Sequence, residues 1–358
     1  MKTGALVTPR SVALRRVAAG LLITGWFALR AGAATCAGAE VGLAAAGEAV
    51  NSSQWKEAER LFREIRTTQP DCHPAVLGLG HALAASGDKA AAEELLSRYV
   101  ELEPTDARAY YYLAQFFFFQ GAFSRADVPS ELAAAFGPDD PDILSLRAQM
   151  LLMKGAIAKA EKMAEKACEL GPKNREAQFV LGSIFDAQKR NPEAVAQFRK
   201  VIELNPKDAR AYDFLALNLE PMGEMEKVEA AYKNGIRADE EGKQDAYLDY
   251  NYGRFLAKLN RLAEARKHLD RAVALAPDTR AVYYERAKVS FRMGKYQDAR
   301  QDAERASGLP DPANVILDLQ VYYLLSQIYS QLGENELAQK YVELSKKSSV
   351  PVQSQGRR

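Results

Sequence analysis

The chain has 358 residues, of which 47% are hydrophobic and 27% charged, with 48 lysines and arginines against 47 aspartates and glutamates. Length alone would suggest two or three globular domains, and the composition is that of a soluble helical protein. The nearly balanced charge excludes a strongly basic surface, which argues against nucleic acid as the main partner.

Residues 1–39 differ from the rest of the chain and are predicted to be a secretory leader. They contain no acidic residue, and Lys2, Arg10, Arg15 and Arg16 precede an apolar run over 17–29 that small residues follow. Basic, apolar and small segments in this order indicate a signal peptide, and the run is short for a membrane span. Cleavage is expected after Ala33 or Ala34, or failing those after Ala39.

Other interpretations of the leader stay open at this point. Cys36 could mark a lipoprotein site, and the pair Arg15 and Arg16 could mark twin-arginine export. An acid-free, arginine-rich leader also occurs in organellar transit peptides, and an uncleaved leader would anchor the chain in a membrane. We predict export to a periplasm or to the outside of the cell, with membrane contact only through an uncleaved leader or a partner.

Prolines recur every 34 residues after the leader, at Pro70, Pro104, Pro138, Pro172 and Pro206. A fixed period of this length is typical of stacked helix-turn-helix units, none of which can bury its apolar face alone. We therefore predict an all-α solenoid of about nine repeats that forms one domain over 40–349. A polar tail over 350–358 is predicted to be disordered.

Other positions keep the same period when the proline is counted as position 32. Positions 8 and 20 hold small residues, because a larger side chain would overpack two helices that cross closely. Position 15 holds glycine, whose positive φ can end the first helix of each repeat. The small residues are Gly80, Ala114, Ala148, Gly182, Ala216, Gly253 and Ala287 at position 8, and Ala58, Ala92, Ala126, Ala160, Ala194, Ala265, Ala299 and Ala338 at position 20; the glycines are Gly87, Gly121, Gly155, Gly223, Gly294 and Gly333.

This pattern resembles the tetratricopeptide repeat family, and the resemblance covers nearly all of the chain after the leader. It implies a right-handed α-α superhelical solenoid whose first helices line a concave groove for a protein or peptide partner. The best matches are Ala58, Phe62 and Pro70; Leu79, Gly80, Ala92 and Pro104; Leu181, Gly182, Phe185, Ala194, Phe198 and Pro206; and Tyr252, Gly253, Ala265, Leu269, Ala272 and Pro277.

The period slips twice in the second half of the chain. The first excess falls in the polar run 240–245, after a repeat that has Val228 in place of the position 20 alanine, and the second falls in 309–314. Inserted residues in repeat proteins map to loops between units, so both slips are predicted to be loops.

In the family, positions 5 and 9 of the first helices are among those that line the groove. Here position 5 is rich in tyrosine and position 9 in hydrogen-bonding groups, a combination that suits an extended or helical peptide. The alternative is that the tyrosines pack on neighbouring helices. The predicted groove residues are Tyr111, Gln115, Phe118, Phe119, Phe179, Tyr250, Asn251, Arg254, Tyr284, Lys288, Tyr323 and Gln327.

The run of four phenylalanines from Phe116 to Phe119 carries a separate prediction. Positions 10 and 11 turn Phe116 and Phe117 toward the core, whereas Phe118 and Phe119 would lie near the groove as an exposed apolar pair. The alternative is that this pair fills a gap beside Phe123.

The carboxylate clamp of the family's chaperone-binding members is not matched here. Tyr111 and Ser145 stand where the clamp has lysine, and Gln115 and Gln149 where it has asparagine. Arg254 and Lys288, at position 9 of adjacent repeats with Asn251 beside them, are instead predicted to hold a carboxylate of the ligand.

The sequence offers little for catalysis. Its three histidines, His73, His81 and His268, lack the spacing of a zinc site or a triad, and the acidic cluster at 139–142 is best explained as a helix cap. Gly78 and Gly80 begin a dinucleotide fingerprint that lacks its third glycine and its strand. We predict no enzyme activity, no metal and no cofactor.

The cysteines are not predicted to form a disulfide framework. Cys72 and Cys168 lie three repeats apart, which is too far for a bond, and Cys36 is predicted to be a free thiol that could reach a partner chain.

These observations together predict a non-catalytic protein interaction scaffold, in a cell-envelope assembly, secretion or export process. A self-associating structural module and an accessory subunit that positions an enzyme are the alternatives. The polar last helix over 336–347 favours a solvated end over end-to-end stacking.

Overall fold

The computed structural model describes residues 36–52, 54–239, 246–311 and 315–349. These residues form eighteen α-helices and one short 3-10 helix, with no strand among them. The all-α prediction is therefore confirmed. The predicted tail, the predicted leader up to residue 35 and the slip at 240–245 lie outside the described residues. None of the helices in the described part of the chain is long and apolar enough to span a membrane.

The described residues group into two compact units, one ending at Ile184 and the other beginning at Phe185. The N-terminal unit contains α1 (Glu40–Asn51), α2 (Trp55–Thr68), α3 (His73–Ser86), α4 (Lys89–Leu102), α5 (Ala107–Phe119), α6 (Phe123–Phe136), α7 (Pro141–Met153) and α8 (Ile157–Leu170). The next helix, α9 (Arg175–Ala187), spans the boundary between the two units.

The C-terminal unit contains the remaining nine helices. They are α10 (Asn191–Leu204), α11 (Ala209–Leu219), α12 (Met225–Ala238), α13 (Ala246–Lys258), α14 (Leu262–Leu275), α15 (Arg280–Arg292), α16 (Tyr296–Gly308), α17 (Asp318–Gln331) and α18 (Asn335–Ser349), with the 3-10 turn Glu220–Met222 after α11. Within each unit, each odd-numbered helix packs against the even-numbered helix that follows it, and both helices of such a pair contact the first helix of the next pair. Eighteen helices in this order match nine predicted repeats.

The turns inside the repeats from α3 onward have the backbone conformation that the glycines predict. All six position 15 glycines have positive φ, between 71° and 101°. Two of the described turns lack the glycine, and there Lys189 and Asn260 adopt φ of 61° and 60°. A lysine in this left-handed conformation is strained, whereas asparagine tolerates it better.

We expect Lys189→Gly to stabilise the C-terminal unit by about 0.5–1 kcal/mol, because glycine relieves the strain at positive φ. Asn260→Gly serves as the matched control, and its free energy of unfolding should increase less. Urea unfolding of the three proteins measures both values, and a destabilised Lys189→Gly variant would contradict this account of the turn.

Small residues at positions 8 and 20 let the paired helices approach, as predicted. Seven of the eight position 20 alanines are fully buried, whereas Ala338 is only half-buried. A Cβ atom on Gly253 would lie 2.8 Å from Leu269 Cγ and 3.2 Å from the backbone oxygen of Ala265. There is no room for a side chain at this crossing.

Ala194→Leu is expected to destabilise the protein by ~1–3 kcal/mol, because Ala194 is fully buried on α10 and leucine would overpack the site. Ala196 lies two residues further along the same helix and is exposed. Ala196→Leu should therefore change the free energy of unfolding much less. Equal effects of the two substitutions would put the repeat register in doubt.

Aspartate side chains cap the N-termini of several helices. Asp140 accepts hydrogen bonds from the backbone N–H groups of Asp142 and Ile143 at the start of α7, so the predicted role of this acidic cluster as a helix cap is confirmed. Asp106 caps α5 in the same way.

The prediction of a free thiol at Cys36 is wrong, because Cys36 and Cys72 form a disulfide. Their Cα atoms are 5.1 Å apart, and both residues are buried. Each cysteine precedes the first helix of a repeat, and consecutive repeats stack, so a separation of 36 residues brings the two side chains together. Gln69 strengthens the same junction by donating its side-chain amide to the carbonyl oxygen of Ala37 at 2.8 Å.

Candidate partner-binding site

The predicted groove residues lie on the odd-numbered helices, at positions 5, 9 and their neighbours. We call the residues at positions 5 and 9 of these helices the first-helix stripe. In the N-terminal unit the stripe includes Leu77, His81, Tyr111, Gln115, Ser145, Gln149, Phe179 and Ser183; in the C-terminal unit it includes Asp213, Tyr250, Arg254, Tyr284, Lys288, Tyr323 and Gln327.

Tyr111 and Gln115 form a half-buried polar pair on α5. The Gln115 side-chain amide donates to the Tyr111 hydroxyl at 3.0 Å, and the Arg108 guanidinium lies 5.5 Å from the Tyr111 ring centroid. Burial raises the pKa of Tyr111 well above its ordinary value, so the hydroxyl stays protonated and can donate. Both side chains keep some access to solvent and could contact a partner.

Position 9 on α3 holds a buried histidine, His81, that was not among the predicted groove residues. Its ring is 6% exposed and lies between Trp55 and Tyr112, with centroid distances of 5.7 and 5.8 Å. Among the described residues, neither of its ring nitrogens has a hydrogen-bond partner. Burial lowers the pKa of His81 from 6.5 to about 4, so the imidazole is neutral at physiological pH.

This pKa predicts a pH dependence of stability. Since His81 takes up a proton more readily when the chain is unfolded, the folded state loses stability as the pH falls from 6.5 toward 4. Above pH 6.5 the histidine contributes no pH dependence. We expect the wild type to lose ~2–3 kcal/mol relative to His81→Leu across this window. Urea unfolding of both proteins at several pH values measures the difference, and parallel pH profiles would contradict a buried neutral His81.

Gln149, at position 9 of α7, is also buried, at 4% exposed. Its amide nitrogen lacks a hydrogen-bond partner within the part of the chain that the structure describes. His81 and Gln149 therefore share both a stripe position and unused hydrogen-bonding capacity.

The phenylalanine run is placed differently from the prediction in one respect. Phe116 and Phe117 are buried as expected, but Phe118 is also fully buried, and only Phe119 is half-buried. The Phe118 ring packs edge-on against Phe123 at 5.4 Å between centroids, so it fills the gap beside Phe123. Phe118 is a core residue, and its assignment to the groove is wrong.

Three further predicted groove residues are buried. Phe179 is fully buried, and Tyr250 is 3% exposed. Asn251 is 3% exposed and donates its side-chain amide to both carboxylate oxygens of Asp213 at 2.9 Å. All three side chains pack inside the protein. For Tyr250 this is the alternative stated above, that the tyrosines pack on neighbouring helices.

The predicted cationic pocket for a ligand carboxylate is already occupied by Glu285. Lys288 Nζ lies 2.9 Å from one oxygen of Glu285, and Arg254 Nε lies 3.9 Å from the other. The charges of Arg254 and Lys288 are thus paired with Glu285 within the chain. The predicted site for a ligand carboxylate is therefore already filled by a carboxylate of the protein itself. Glutamate three residues before lysine on a helix is a common ion pair, so the spacing of Glu285 and Lys288 is a sequence signal for this pairing.

Tyrosines near the end of the C-terminal unit remain accessible. Tyr323 on α17 is 58% exposed, and Tyr284 on α15 is half-buried with Lys288 Nζ 5.3 Å from its ring centroid. Burial raises the pKa of Tyr284 to about 12. Gln327, one turn after Tyr323, is half-buried. The accessible part of the prediction therefore comprises Tyr111, Gln115, Phe119, Arg254, Tyr284, Lys288, Tyr323 and Gln327.

Pairs of helices stack on one another, and successive first helices carry tyrosines and hydrogen-bonding side chains. This architecture defines a helical repeat protein of the class that binds other proteins. Models described as tetratricopeptide repeat match residues 49–115, 158–209, 229–280, 250–314 and 319–348, more than half of the chain. The chain belongs to the tetratricopeptide repeat family. No curated protein matches it.

Several solved structures are similar in fold. PilW, a widely conserved type IV pilus biogenesis factor, aligns with a TM-score of 0.52 and 21% identity over 60% of this chain and 95% of its own. The human IFIT1 dimer with PPP-AAAA aligns with a TM-score of 0.55 and 18% identity over 84% and 69%. A tetratricopeptide repeat protein from Parabacteroides merdae aligns with a TM-score of 0.52 and 20% identity over 71% and 97%. At these identities the likeness shows the fold alone.

Proposed function

We propose that this protein is an exported, non-catalytic scaffold that binds a protein or peptide partner on its first-helix stripe, in an assembly, secretion or export process of the cell envelope. One observation carries the proposal. Tyr284 and Tyr323 stand at the same position of consecutive first helices, and both retain accessible ring surface. Accessible tyrosines offer a rigid apolar face with a polar tip, which is the chemistry of interface hot spots.

Export is supported by the leader pattern and by the disulfide. Disulfides persist in oxidising compartments such as a periplasm and are rare in the cytosol. Cys36 and Cys72 form one in the first repeat. A chain with a basic, apolar and small-residue leader would reach such a compartment.

Partner binding is favoured over end-to-end self-association by the last helix. On α18 the polar side chains Gln339, Lys340, Glu343 and Lys346 are exposed. This polar outer face of α18 suits solvent better than a stacked copy.

Tyr323→Ala is expected to weaken partner binding by about 2 kcal/mol or more while leaving helicity unchanged, because an exposed tyrosine contributes to binding rather than to the core. The partner would first be recovered by crosslinking from native envelope extract and then titrated in purified form by calorimetry. Val128→Ala is the matched control, since Val128 is 62% exposed but lies on the second helix α6. Loss of affinity in both variants, or in neither, would contradict binding on the first-helix stripe.

A further inference from the structure

A cleft of about 550 Å³ lies beside the turns of the first two repeats. Its size is within the roughly 300–1,000 Å³ that is typical of small-ligand sites. The N-terminus of α2 forms one side and the last residues of α3 form the other, so the cleft is separate from the first-helix stripe. The described residues that line it are Gln54, Trp55, Lys56, Glu57, Ala85 and Ser86.

Trp55 is the aromatic residue of this cleft, and the core behind it supports its ring. The indole packs against the buried ring of His81 with 5.7 Å between centroids, and His81 in turn contacts Tyr112 at 5.8 Å. Trp55 itself is half-buried, so part of its side chain stays accessible. A ring supported in this way is a preformed apolar surface for a ligand.

Polar groups beside the indole supply both donors and acceptors. The Gln54 amide and the Ser86 hydroxyl can each donate and accept, and the Lys56 ammonium adds a donor. All three residues are exposed, and Gln54 stands at the N-cap of α2 without using its side chain as a cap. These groups are therefore accessible to a ligand that bonds to several of them at once.

The charges at the cleft cancel, which selects a neutral ligand. Lys56 is positive and Glu57 is negative, and the Glu57 carboxylate accepts from the Arg60 guanidinium at 2.6 and 2.9 Å. Arg60 also pairs with Glu64 at 3.1 Å. The hydrogen bond from Arg60 lowers the pKa of Glu57, so this carboxylate remains an acceptor. A phosphate or carboxylate ligand would call for an excess of positive charge.

A sugar ring has the chemistry that this combination would recognise. Many hexose rings present C–H groups on one face, which packs on an aromatic ring, and hydroxyl groups around the rim that each donate and accept. The cleft places one indole beside amide, hydroxyl, ammonium and carboxylate groups. A nucleotide could also stack on the indole, but its phosphates would add negative charge that these side chains do not neutralise.

We propose that the cleft at Trp55 binds a neutral saccharide, one ring of which packs on the indole while its hydroxyl groups bond to the surrounding polar side chains. The site goes beyond the proposed function, because it lies at the turns rather than on the first-helix stripe and takes a polyhydroxylated ligand instead of a protein. The same ring chemistry occurs in free oligosaccharides and in polysaccharides, and the test distinguishes these two sources.

Trp55 itself can report binding. The sequence contains two tryptophans, and the other is Trp26 in the predicted leader. The full chain with Trp26→Phe therefore has Trp55 as its single tryptophan, whether or not the leader is removed. Its fluorescence would be titrated with neutral oligosaccharides of glucose, galactose, mannose and N-acetylglucosamine, and with neutral polysaccharides of the same sugars. Sugar phosphates and nucleotides are the charged comparison.

A double variant tests the polar part of the site. Gln54→Ala with Ser86→Ala removes two hydrogen-bonding side chains without changing the core, because both residues are exposed. Gln120→Ala with Ser124→Ala is the matched control, since these residues are of the same types, are also exposed and flank the turn between α5 and α6. Both are made in the Trp26→Phe chain, and circular dichroism should show unchanged helicity.

We expect at least one neutral saccharide to change the Trp55 emission in a saturable way. The Gln54 and Ser86 double variant should bind it about tenfold or more weakly, because two hydrogen bonds are lost, and the control variant should bind it as the parent chain does. Saturation by an oligosaccharide would identify a free saccharide as sufficient. A change seen only with a polysaccharide would identify the longer chain as the ligand, and it would equally support a saccharide site.

Three outcomes would overturn the inference. If no neutral saccharide changes the emission, the cleft does not bind sugars. If the double variant binds as tightly as the parent chain, the polar side chains of the cleft do not hold the ligand. If only sugar phosphates or nucleotides change the emission, and salt removes the effect, the ligand is an anion. None of these results would contradict partner binding on the first-helix stripe, which these substitutions do not touch.

Discussion

Phe118→Ala is expected to destabilise the N-terminal unit by ~3–5 kcal/mol, the usual effect of removing a fully buried phenylalanine ring. Phe118 has no exposed surface, and its ring packs against Phe119 and Phe123. Truncation would leave a cavity between α5 and the start of α6, because backbone atoms in a repeat cannot shift far without disturbing the next crossing. Urea unfolding monitored by circular dichroism measures the effect.

Phe119→Ala is the matched control, since Phe119 is the neighbouring residue of the same type and is half-buried. Phe119→Ala should lower the free energy of unfolding clearly less than Phe118→Ala does. If Phe119 contacts the partner, this substitution should also lower affinity in a protein that remains folded. A larger loss of stability from Phe119→Ala than from Phe118→Ala would contradict the assignment of Phe118 to the core.

Cys36→Ser is expected to destabilise the first repeat by ~3–4 kcal/mol, the value that the chain-entropy model gives for a loop of this length. The bond joins residues 36 positions apart and ties the segment before α1 to the segment before α3. Since each repeat contacts only its neighbours, the loss should be concentrated in α1 and α2. Hydrogen exchange resolved by peptide, with and without reductant, measures where protection is lost.

Cys168→Ala is the control for this experiment, because Cys168 lies outside the disulfide on α8. Cys168→Ala should leave the hydrogen-exchange protection of α1 at the wild-type level. Adding reductant should lower this protection in the variant as much as in the wild type. If reduction leaves the exchange of α1 unaltered in the wild type, the disulfide does not hold the first repeat in place.

The repeat period predicted most of the fold because it reports a geometric requirement at each position. Alanine at position 20 and glycine at position 15 suit the close crossing and the turn of two helices, so their recurrence predicts the helical pairs. Lys189 and Asn260 show that the backbone requirement persists where the glycine is absent. The disulfide was missed because Cys36 stands one period before Pro70 but was grouped with the leader, so its place in the first junction was not recognised.

The site was harder to predict because burial and pairing depend on neighbouring repeats. Four consecutive phenylalanines cover most of the circumference of a helix, so the sequence alone does not indicate that Phe118 turns inward against Phe123. Spacing alone predicts that Arg254 and Lys288 are available to a ligand, whereas both pair with Glu285 in the folded chain.

Photocrosslinking in living cells tests the central claim, that a partner binds on the first-helix stripe, most directly. A photoreactive phenylalanine would replace Tyr111, Tyr284 or Tyr323 on the stripe, and Leu102 or Val128 on second helices as controls, since both are more than half exposed. We predict that the stripe positions crosslink to the same protein and the control positions do not. Crosslinks only from the control positions, or only to other copies of this chain, would contradict the claim.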